Sequence, residues 1–247
     1  MNLPKVCVMI ITYDRPKEIR QTISALEKYL VYPKDLLHWH IADDNSPDYY
    51  VKKIKDDFKH LRFTATVTDR KGWGANVNKG IVHCHGTSDY IFVIEDDYVA
   101  QKEVNLIKGV CLIGSEKDTP IPEGGSPREP IGMVRYDGLA AHNLLLELRE
   151  AKTQIGNLAY FNILKQSIHL NCYSNRPHLR HRRFLSDYGE YKVGLSLGAT
   201  ETAMAMRFKH TKGGSWITAL SDGVPKGFDH IGKSRQGTNL DPNKGKT

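Results

Sequence analysis

The chain has 247 residues, of which 40% are hydrophobic, so it is long enough to bury a full core, and general intrinsic disorder is excluded. Its 35 Lys and Arg residues against 28 Asp and Glu give a formal net charge of +7, which favours an anionic ligand, an acidic polymer or a membrane surface as partner. The four cysteines form no Cys-x-x-Cys pair, which argues against a zinc site and against a small disulfide framework.

Strands and helices are predicted to alternate along the first half of the chain. Lys5–Thr12 is apolar and rich in β-branched residues, as in a strand buried on both faces, and from Pro16 apolar side chains recur at helical spacing up to Leu30. Further strands are predicted at Leu37–Ala42, Phe63–Thr68 and Tyr90–Glu95, and further helices at 51–61 and 75–83. This alternation predicts an α/β fold with a mostly parallel central sheet and helices on both faces.

Three polar segments directly follow predicted strands: T-Y-D-R-P, A-D-D-N-S-P-D and E-D-D-Y. Ligands of open parallel sheets bind beyond the carboxyl ends of the strands, so we expect the three segments to meet at one rim. The clustered carboxylates of E-D-D repel one another, and a hard cation such as Mg²⁺ or Mn²⁺, with a phosphate completing its shell, offsets that repulsion. A solvated strand end or a helix cap is the alternative interpretation of the triplet.

The second half has a different pattern. Residues 114–130 are rich in Pro, Gly and charge without periodicity, which predicts a long surface loop or a lid. Short strand-like pieces follow, then a helix over Thr200–His210, then a polar tail that we expect to be loose. We therefore expect a nucleotide-binding α/β half at 1–113, an acceptor-side half of the same domain at 114–232 and a tail at 233–247.

The segments V-M-I-I-T-Y-D-R-P, H-I-A-D-D-N-S-P-D and V-T-D-R-K-G-W-G-A-N, followed by F-V-I-E-D-D, resemble the family 2 glycosyltransferases of GT-A fold over residues 4–100. The resemblance implies an enzyme that moves a sugar from a nucleotide diphosphate sugar, by the family's habit a UDP-sugar, to an acceptor hydroxyl with inversion. It also implies a Mn²⁺ or Mg²⁺ cofactor.

The resemblance implies roles for individual residues. Those implied in nucleotide-sugar binding are Thr12, Tyr13, Arg15, Asp43, Asp44, Arg70, Lys71, Asn76 and Asp96. Asp44 is expected to accept a hydrogen bond from the base, and Asp96 to approach the ribose. An Asx turn with a helix cap is the competing interpretation of A-D-D-N-S-P-D. Glu95 departs from the family pattern, which often has Asp or a small residue there.

For the metal, the resemblance implies Asp97 and, from the segment G-F-D-H-I-G, His230, although a lone histidine is more often structural. For the general base it implies Glu201 at the start of the last predicted helix. A carboxylate favoured there by the helix macrodipole is the alternative. Reserve candidates for the base are Asp187 and Glu190, and Asp137 is expected on the acceptor or ribose side.

The segment Arg176–Arg183 concentrates arginines, which suits the donor's diphosphate, an anionic glycan or a nucleic acid backbone; a solvated basic loop is the alternative interpretation. The acceptor stays open, with a glycan and a hydroxylated base in DNA as the candidates. Two other functions stay open. A nucleotidyltransferase usually has a Gly-rich loop after its first strand, which T-Y-D-R-P lacks, and a non-catalytic protein would bind nucleic acid or an anionic glycan without a donor or metal. No apolar stretch suits a signal peptide or reaches the ~18 to 20 residues that span a bilayer, so a cytoplasmic protein is expected.

Overall fold

The computed structural model describes residues 2–114, 130–136, 153–155, 158–163, 173–212, 214–220 and 227–232. Its elements are β1 (Val6–Thr12), α1 (Pro16–Tyr29), β2 (Leu30–Val31), β3 (Leu37–Asp43), α2 (Tyr49–Asp57), β4 (Thr64–Val67), α3 (Trp73–His85), β5 (Tyr90–Glu95), β6 (Tyr98–Ala100), β7 (Val104–Asn105), α4 (Leu106–Gly114), β8 (Ile131–Arg135), β9 (Thr153–Ile155), β10 (Leu158–Asn162), β11 (His178–His181), α5 (Arg182–Tyr188), α6 (Leu197–His210), β12 (Trp216–Leu220) and β13 (Phe228–His230). The predicted loop at 114–130, apart from its end residues, and the tail from 233 lie outside the described residues, as does Asp137.

One nine-stranded sheet runs through both halves of the chain in the order β4-β3-β1-β5-β11-β8-β12-β10-β9. The first four strands are parallel to one another, whereas β11 is antiparallel to both of its neighbours. The register pairs Thr12 with Asp43 and Ile11 with Glu95, so the carboxyl ends of β1, β3 and β5 lie side by side. The predicted α/β fold is confirmed, and the topology brings the three polar segments to one rim.

Strand β1 is the centre of the molecule because all seven of its residues are buried. Its side chains alternate between two cores: Val6, Val8 and Ile10 pack with the helix α1, and Cys7, Met9 and Ile11 pack with α3. Burying side chains of this size contributes about 1.5–3 kcal/mol each. The continuous apolar run predicted a strand covered on both faces, and this is what the two cores provide.

Helix α3 lies unusually close to the sheet. A Cβ added at Gly80 would stand 2.7 Å from the Met9 sulfur and 2.9 Å from the Ala42 Cβ. Cys84, one turn further along α3, forms a disulfide with Cys7 of β1, and their Cα atoms are 5.8 Å apart. The absence of a Cys-x-x-Cys pair carries no information about a bridge between residues 77 positions apart.

The predicted helix near residue 200 is α6, which starts three residues earlier than Thr200. Ser196 caps it by accepting a hydrogen bond from the backbone N–H of Ala199, at 3.3 Å. Met204, Ala205 and Phe208 bury its inner face in the same core as α3. Within the described residues, no helix combines the length and hydrophobicity required for a transmembrane span.

Candidate active site

A cavity of about 560 Å³ lies beyond the carboxyl ends of β1, β3 and β5. Seven of the nine residues predicted to bind a nucleotide sugar line it: Thr12, Tyr13, Arg15, Asp44, Arg70, Asn76 and Asp96. The opposite wall is the segment 195–198, which leads into α6. Residues distant in sequence therefore meet at one concave site at the rim of the sheet.

The floor of the cavity is a hydrogen-bonded pair of side chains from β1 and the end of β5. The Thr12 hydroxyl donates to Asp96 Oδ2 at 2.7 Å and therefore accepts from the Tyr50 hydroxyl, whose oxygen is 2.5 Å away. The backbone N–H of Asp96 donates to the Ile11 carbonyl at 2.9 Å. Burial raises the pKa of Asp96 to about 7, against the opposing effects of the Thr12 hydrogen bond and the Arg15 charge.

Arg15 bridges the two aspartates of the acidic triplet. Its Nη1 donates to Asp96 Oδ1 at 3.3 Å and contacts Asp97 Oδ2. Arg70 lies across the cavity with its guanidinium carbon 4.9 Å from the centre of the Tyr13 ring. The guanidinium groups of Arg15 and Arg70 both lie at the cavity, and such groups suit a ligand that carries phosphate.

The two aspartates of A-D-D-N-S have separate tasks. Asp43 is buried and accepts hydrogen bonds from the Ser46 backbone N–H, at 2.8 Å, and from the Ser46 hydroxyl. Asp44 faces the cavity, where its Oδ1 accepts from the Thr68 hydroxyl at 2.7 Å. The turn predicted as the alternative interpretation therefore forms around Asp43, while Asp44 remains at the ligand side.

Of the predicted ligand residues Asn76 and Lys71, only Asn76 lies at the cavity. Asn76 is buried at the cavity; its Nδ2 donates to the Ala42 carbonyl at 2.8 Å, and its Oδ1 has no hydrogen-bond partner within the described residues. Lys71 is exposed, lies 3.8 Å from Asp69 and does not line the cavity. Of the two, Asn76 has the unpaired buried acceptor that a ligand hydroxyl would satisfy.

Glu95, which the sequence resemblance left unexplained, lines the cavity beside Trp73. The indole Nε1 of Trp73 donates to Glu95 Oε1 at 2.9 Å. Burial, followed by the charges of Asp97 and Asp96, raises the pKa of Glu95 to about 8. The only signal for this pair in the sequence is the tryptophan between Gly72 and Gly74.

Asp97 and His230 are brought together by the short ladder between β6 and β13. His230 Nε2 is 3.2 Å from Asp97 Oδ2, while the buried Asp97 Oδ1 has no hydrogen-bond partner among the described residues. No group of three His, Cys, Asp or Glu side chains in the described part of the chain is arranged to hold a metal. The pair fits a hard cation whose other ligands are phosphate oxygens and water, because one carboxylate oxygen is still unpaired.

Glu201 lies in α6 one turn beyond Gly198, the last residue of the cavity wall. Its Oε1 accepts from the backbone N–H of Asn175 at 2.8 Å, and its charge adds to the raised pKa of Glu95. Like Glu201, neither reserve candidate lines the cavity. Asp187 accepts from the Ser215 backbone N–H at 2.7 Å, and the carbonyl of the exposed Glu190 accepts from Arg207.

The predicted basic patch at Arg176–Arg183 requires a correction. His178 and Arg180 lie on the central strand β11 and are completely buried, because alternate residues of that strand point into the core. Arg176 and Arg182 remain exposed. The segment is therefore not one continuous cationic surface.

Comparison with known proteins identifies the fold. Residues 7–119 match the sequence profile of glycosyl transferase family 2. A sequence comparison with curated proteins finds no match.

Among solved structures, TarS from S. aureus is similar at a TM-score of 0.62 and 16% identity over 88% of this chain and 35% of that one. The mannosyltransferase PcManGT from Pyrobaculum calidifontis, solved with GDP-Man and Mn²⁺, has a TM-score of 0.54 and 14% identity over 94% of this chain and 58% of that one. GalNAc-T7, solved with UDP, GalNAc and Mn²⁺, has a TM-score of 0.54 and 15% identity over 89% and 44% of the two chains. The chain thus spans only about a third to three fifths of these proteins. Residues 7–119 are therefore similar to the family 2 glycosyltransferases, and the solved structures show that the chain has their GT-A type of fold, as the sequence motifs predicted.

Proposed function

We propose that the protein transfers a sugar from a nucleotide diphosphate sugar, specifically a UDP-sugar, to an acceptor hydroxyl with inversion of the anomeric carbon. The observation that carries this proposal is the convergence of seven predicted donor-binding residues on one cavity. UDP is favoured over other nucleotides because the S. aureus TarS fragment 1–349 was solved with UDP-GlcNAc and GalNAc-T7 with UDP.

In this proposal the donor lies across the rim with its base near β3 and its diphosphate near the end of β5. Asp44 accepts the ring N–H of the base, and the Tyr13 and Arg70 side chains lie alongside it. The ribose hydroxyls reach Asp96 and the unpaired Oδ1 of Asn76. Residues 1–113 then supply the donor site, and residues 114–232 the acceptor side.

A Mn²⁺ or Mg²⁺ ion would be held by Asp97 and His230. When bound, it supplies positive charge that stabilises the departing diphosphate. Arg15 already contacts Asp97 and lies 3.3 Å from Asp96, so this guanidinium adds a second positive charge at the same end of the site.

The transfer step needs one proton acceptor on the acceptor side. Glu201 takes the proton of the acceptor hydroxyl as that oxygen forms a bond to the anomeric carbon. The bond from the anomeric carbon to the diphosphate oxygen breaks, its electron pair leaves with UDP, and the glycoside forms with inverted configuration. A glycan or a hydroxylated base in DNA is the acceptor; the net charge of +7 and the exposed Arg176 and Arg182 favour such a polyanionic partner.

The proposal is tested by thermal unfolding of the wild type and of Asp97→Asn with a panel of nucleotide sugars, with and without Mn²⁺. A specific donor at a hundredfold excess over its Kd raises the unfolding free energy by about 2.7 kcal/mol. We expect this gain for the wild type with a UDP-sugar and metal together, and its loss in Asp97→Asn. The protein is then incubated with the donor that binds and with candidate acceptors, hydroxymethylated DNA included. Mass spectrometry measures whether the mass of an acceptor increases.

Two results would count against the proposal. If no nucleotide sugar stabilises the wild type, a polymer-binding protein becomes the better interpretation. If the wild type binds a donor equally well with Mn²⁺ and in chelator, or if Asp97→Asn with Mn²⁺ binds it as well as the wild type does, the metal role assigned to Asp97 is wrong.

A further inference from the structure

Four buried polar residues behind Glu201 form a chain of hydrogen bonds that the transfer reaction described above does not use. Arg180 Nη1 lies 3.0 Å from the Tyr191 hydroxyl, this hydroxyl contacts that of Tyr173, and the Tyr173 hydroxyl lies 2.8 Å from Asn175 Oδ1. The backbone N–H of Asn175 then donates to Glu201 Oε1 at 2.8 Å. We call Arg180, Tyr191, Tyr173 and Asn175 the polar chain.

Only one assignment of donors and acceptors satisfies the hydrogen bonds of the polar chain. Arg180 has donors and no acceptor, so the Tyr191 oxygen accepts from it. Tyr173 donates its proton to Asn175 Oδ1, so in the short contact between the two tyrosines Tyr191 must be the donor. Each hydroxyl proton therefore has one defined acceptor. The series of hydrogen bonds that begins at Arg180 fixes the orientation of Asn175.

This arrangement is costly for stability. Arg180 is completely buried, and its Nε and Nη2 have no hydrogen-bond partner among the described residues. Its guanidinium carbon lies 5.3 Å from the centre of the Phe184 ring and 5.7 Å from that of Tyr191, contacts that offset only part of the loss of hydration. In some proteins a buried polar or ionic group of this kind fixes one specific geometry at a cost in stability.

The polar chain also reaches the second carboxylate of the site. The Trp73 ring stands edge-on to the Tyr191 ring with centres 5.0 Å apart, and Trp73 is the hydrogen-bond donor to Glu95. Asn78 holds Tyr191 from both sides, its Nδ2 donating to the Tyr191 carbonyl at 2.8 Å and its Oδ1 accepting from the Tyr191 N–H at 2.9 Å. Tyr191 is therefore a fixed support shared by Glu95 and Glu201.

We propose that Arg180, Tyr191 and Tyr173 are positioning residues for the transfer reaction: through Asn175 they hold Glu201 Oε1, so that Oε2 is the oxygen that takes the acceptor proton. The inference rests on the proposed function, because it assigns Glu201 the role of base. None of the three residues touches the donor cavity, so their effect passes through Glu201 and not through donor affinity.

The test compares Tyr173→Phe with Tyr188→Phe. Both tyrosines are buried, at 1% and 3% exposure, and each donates one hydrogen bond, but Tyr188 donates to the Ser215 carbonyl, outside the polar chain.

Release of UDP from the donor, with water or an acceptor, is followed over pH. For Tyr173→Phe we expect kcat to fall roughly tenfold with donor KM within about twofold of wild type. The acidic limb of its kcat profile should move to higher pH, because a carboxylate with a weakened amide donor holds its proton more tightly. Tyr188→Phe should keep the wild-type kcat profile.

Tyr191→Phe is the second variant and should reproduce the loss in kcat, since it separates Arg180 from Tyr173; donor binding by calorimetry verifies that each variant is folded. Equal kcat losses in Tyr173→Phe and Tyr188→Phe, or a pH profile that does not move, would overturn the inference alone. A wild type that releases no UDP from any donor would overturn the proposed function and this inference with it.

Discussion

At the scale of single residues, the end of β3 shows how two adjacent aspartates acquire different roles. Consecutive strand residues point to opposite sides, so only one of the pair can face the cavity. Asp43 points inward and is held by Ser46, whose hydroxyl also accepts from the Asp14 N–H at 2.8 Å. The loops after β1 and β3 are thereby tied together, and Asp44 is presented to the ligand on a rigid support.

Asp44→Ala should lower the affinity for UDP about tenfold or more, because it removes a charged acceptor from the proposed base pocket. Isothermal titration calorimetry with UDP measures the change. Asp69→Ala is the matched control, since the Asp69 side chain is 91% exposed and outside the cavity. Equal Kd values for Asp44→Ala and wild type would show that the base binds elsewhere.

At the scale of elements, the site depends on how closely α3 approaches the sheet. The N-terminal turn of α3 carries Trp73 and Asn76 to the cavity, and Gly80 in its middle allows the helix to contact Met9 and Ala42. Any side chain at position 80 lifts the helix from the sheet and moves its first turn with it.

Gly80→Ala should therefore lower the free energy of unfolding by about 1–3 kcal/mol, despite the better helix propensity of alanine. Urea unfolding followed by circular dichroism measures this loss. Gly114→Ala at the end of α4 provides the comparison, because a Cβ there meets no atom of the described residues within 4 Å, and it should be neutral or slightly stabilising. If the two variants unfold at the same urea concentration, the close approach of α3 does not limit stability.

The elements also show which parts of the fold can be predicted from sequence. The strands β1, β3, β4 and β5 and the helices between them carry clear apolar periodicity, and the sequence located all of them. Strand β11 falls within the predicted basic patch because His178 and Arg180 are polar, although both are buried. Their burial depends on Tyr191 and other distant residues, which no local pattern reveals.

The same distinction applies to the site. Strand ends predicted the donor rim, since topology alone brings the ends of parallel strands together. The link from Glu201 to Asn175 and the one from Glu95 to Trp73 join segments that are 26 and 22 residues apart, and they follow from packing that periodicity does not encode.

At the scale of the whole molecule, the core contains several histidines that are neutral when folded. Burial lowers the pKa of His40 and His178 to about 3 and that of His181 to about 4. The unfolded chain binds protons at these positions below about pH 6.5, where the folded chain does not. Their contribution to stability is complete above pH 6.5 and is lost as the pH falls towards 3. The raised pKa values of Glu95 and Asp96 act in the opposite sense.

His40→Gln separates these opposing effects. Between pH 8 and pH 5 the wild type should lose about 2 kcal/mol of unfolding free energy relative to His40→Gln. The reason is that only the wild type has this imidazole, which takes up a proton on unfolding. Urea titrations at several pH values give the difference directly. His210→Gln, at an exposed position, is the matched control. A pH-independent difference for His40→Gln would show that folding does not lower the pKa of His40.

Gly232 limits which side chains can stand next to the carboxylate of Asp97. A Cβ at this position would overlap the carboxylate of Asp97, so the space beside that carboxylate exists only while residue 232 has no side chain. In a saturation library scored by donor turnover, alanine at position 232 should be as damaging as a large residue, whereas alanine at Gly114, outside the cavity and with no atom of the described residues within 4 Å, should be accepted. At position 232 the volume of the side chain therefore decides whether a substitution is tolerated, and its chemical character does not.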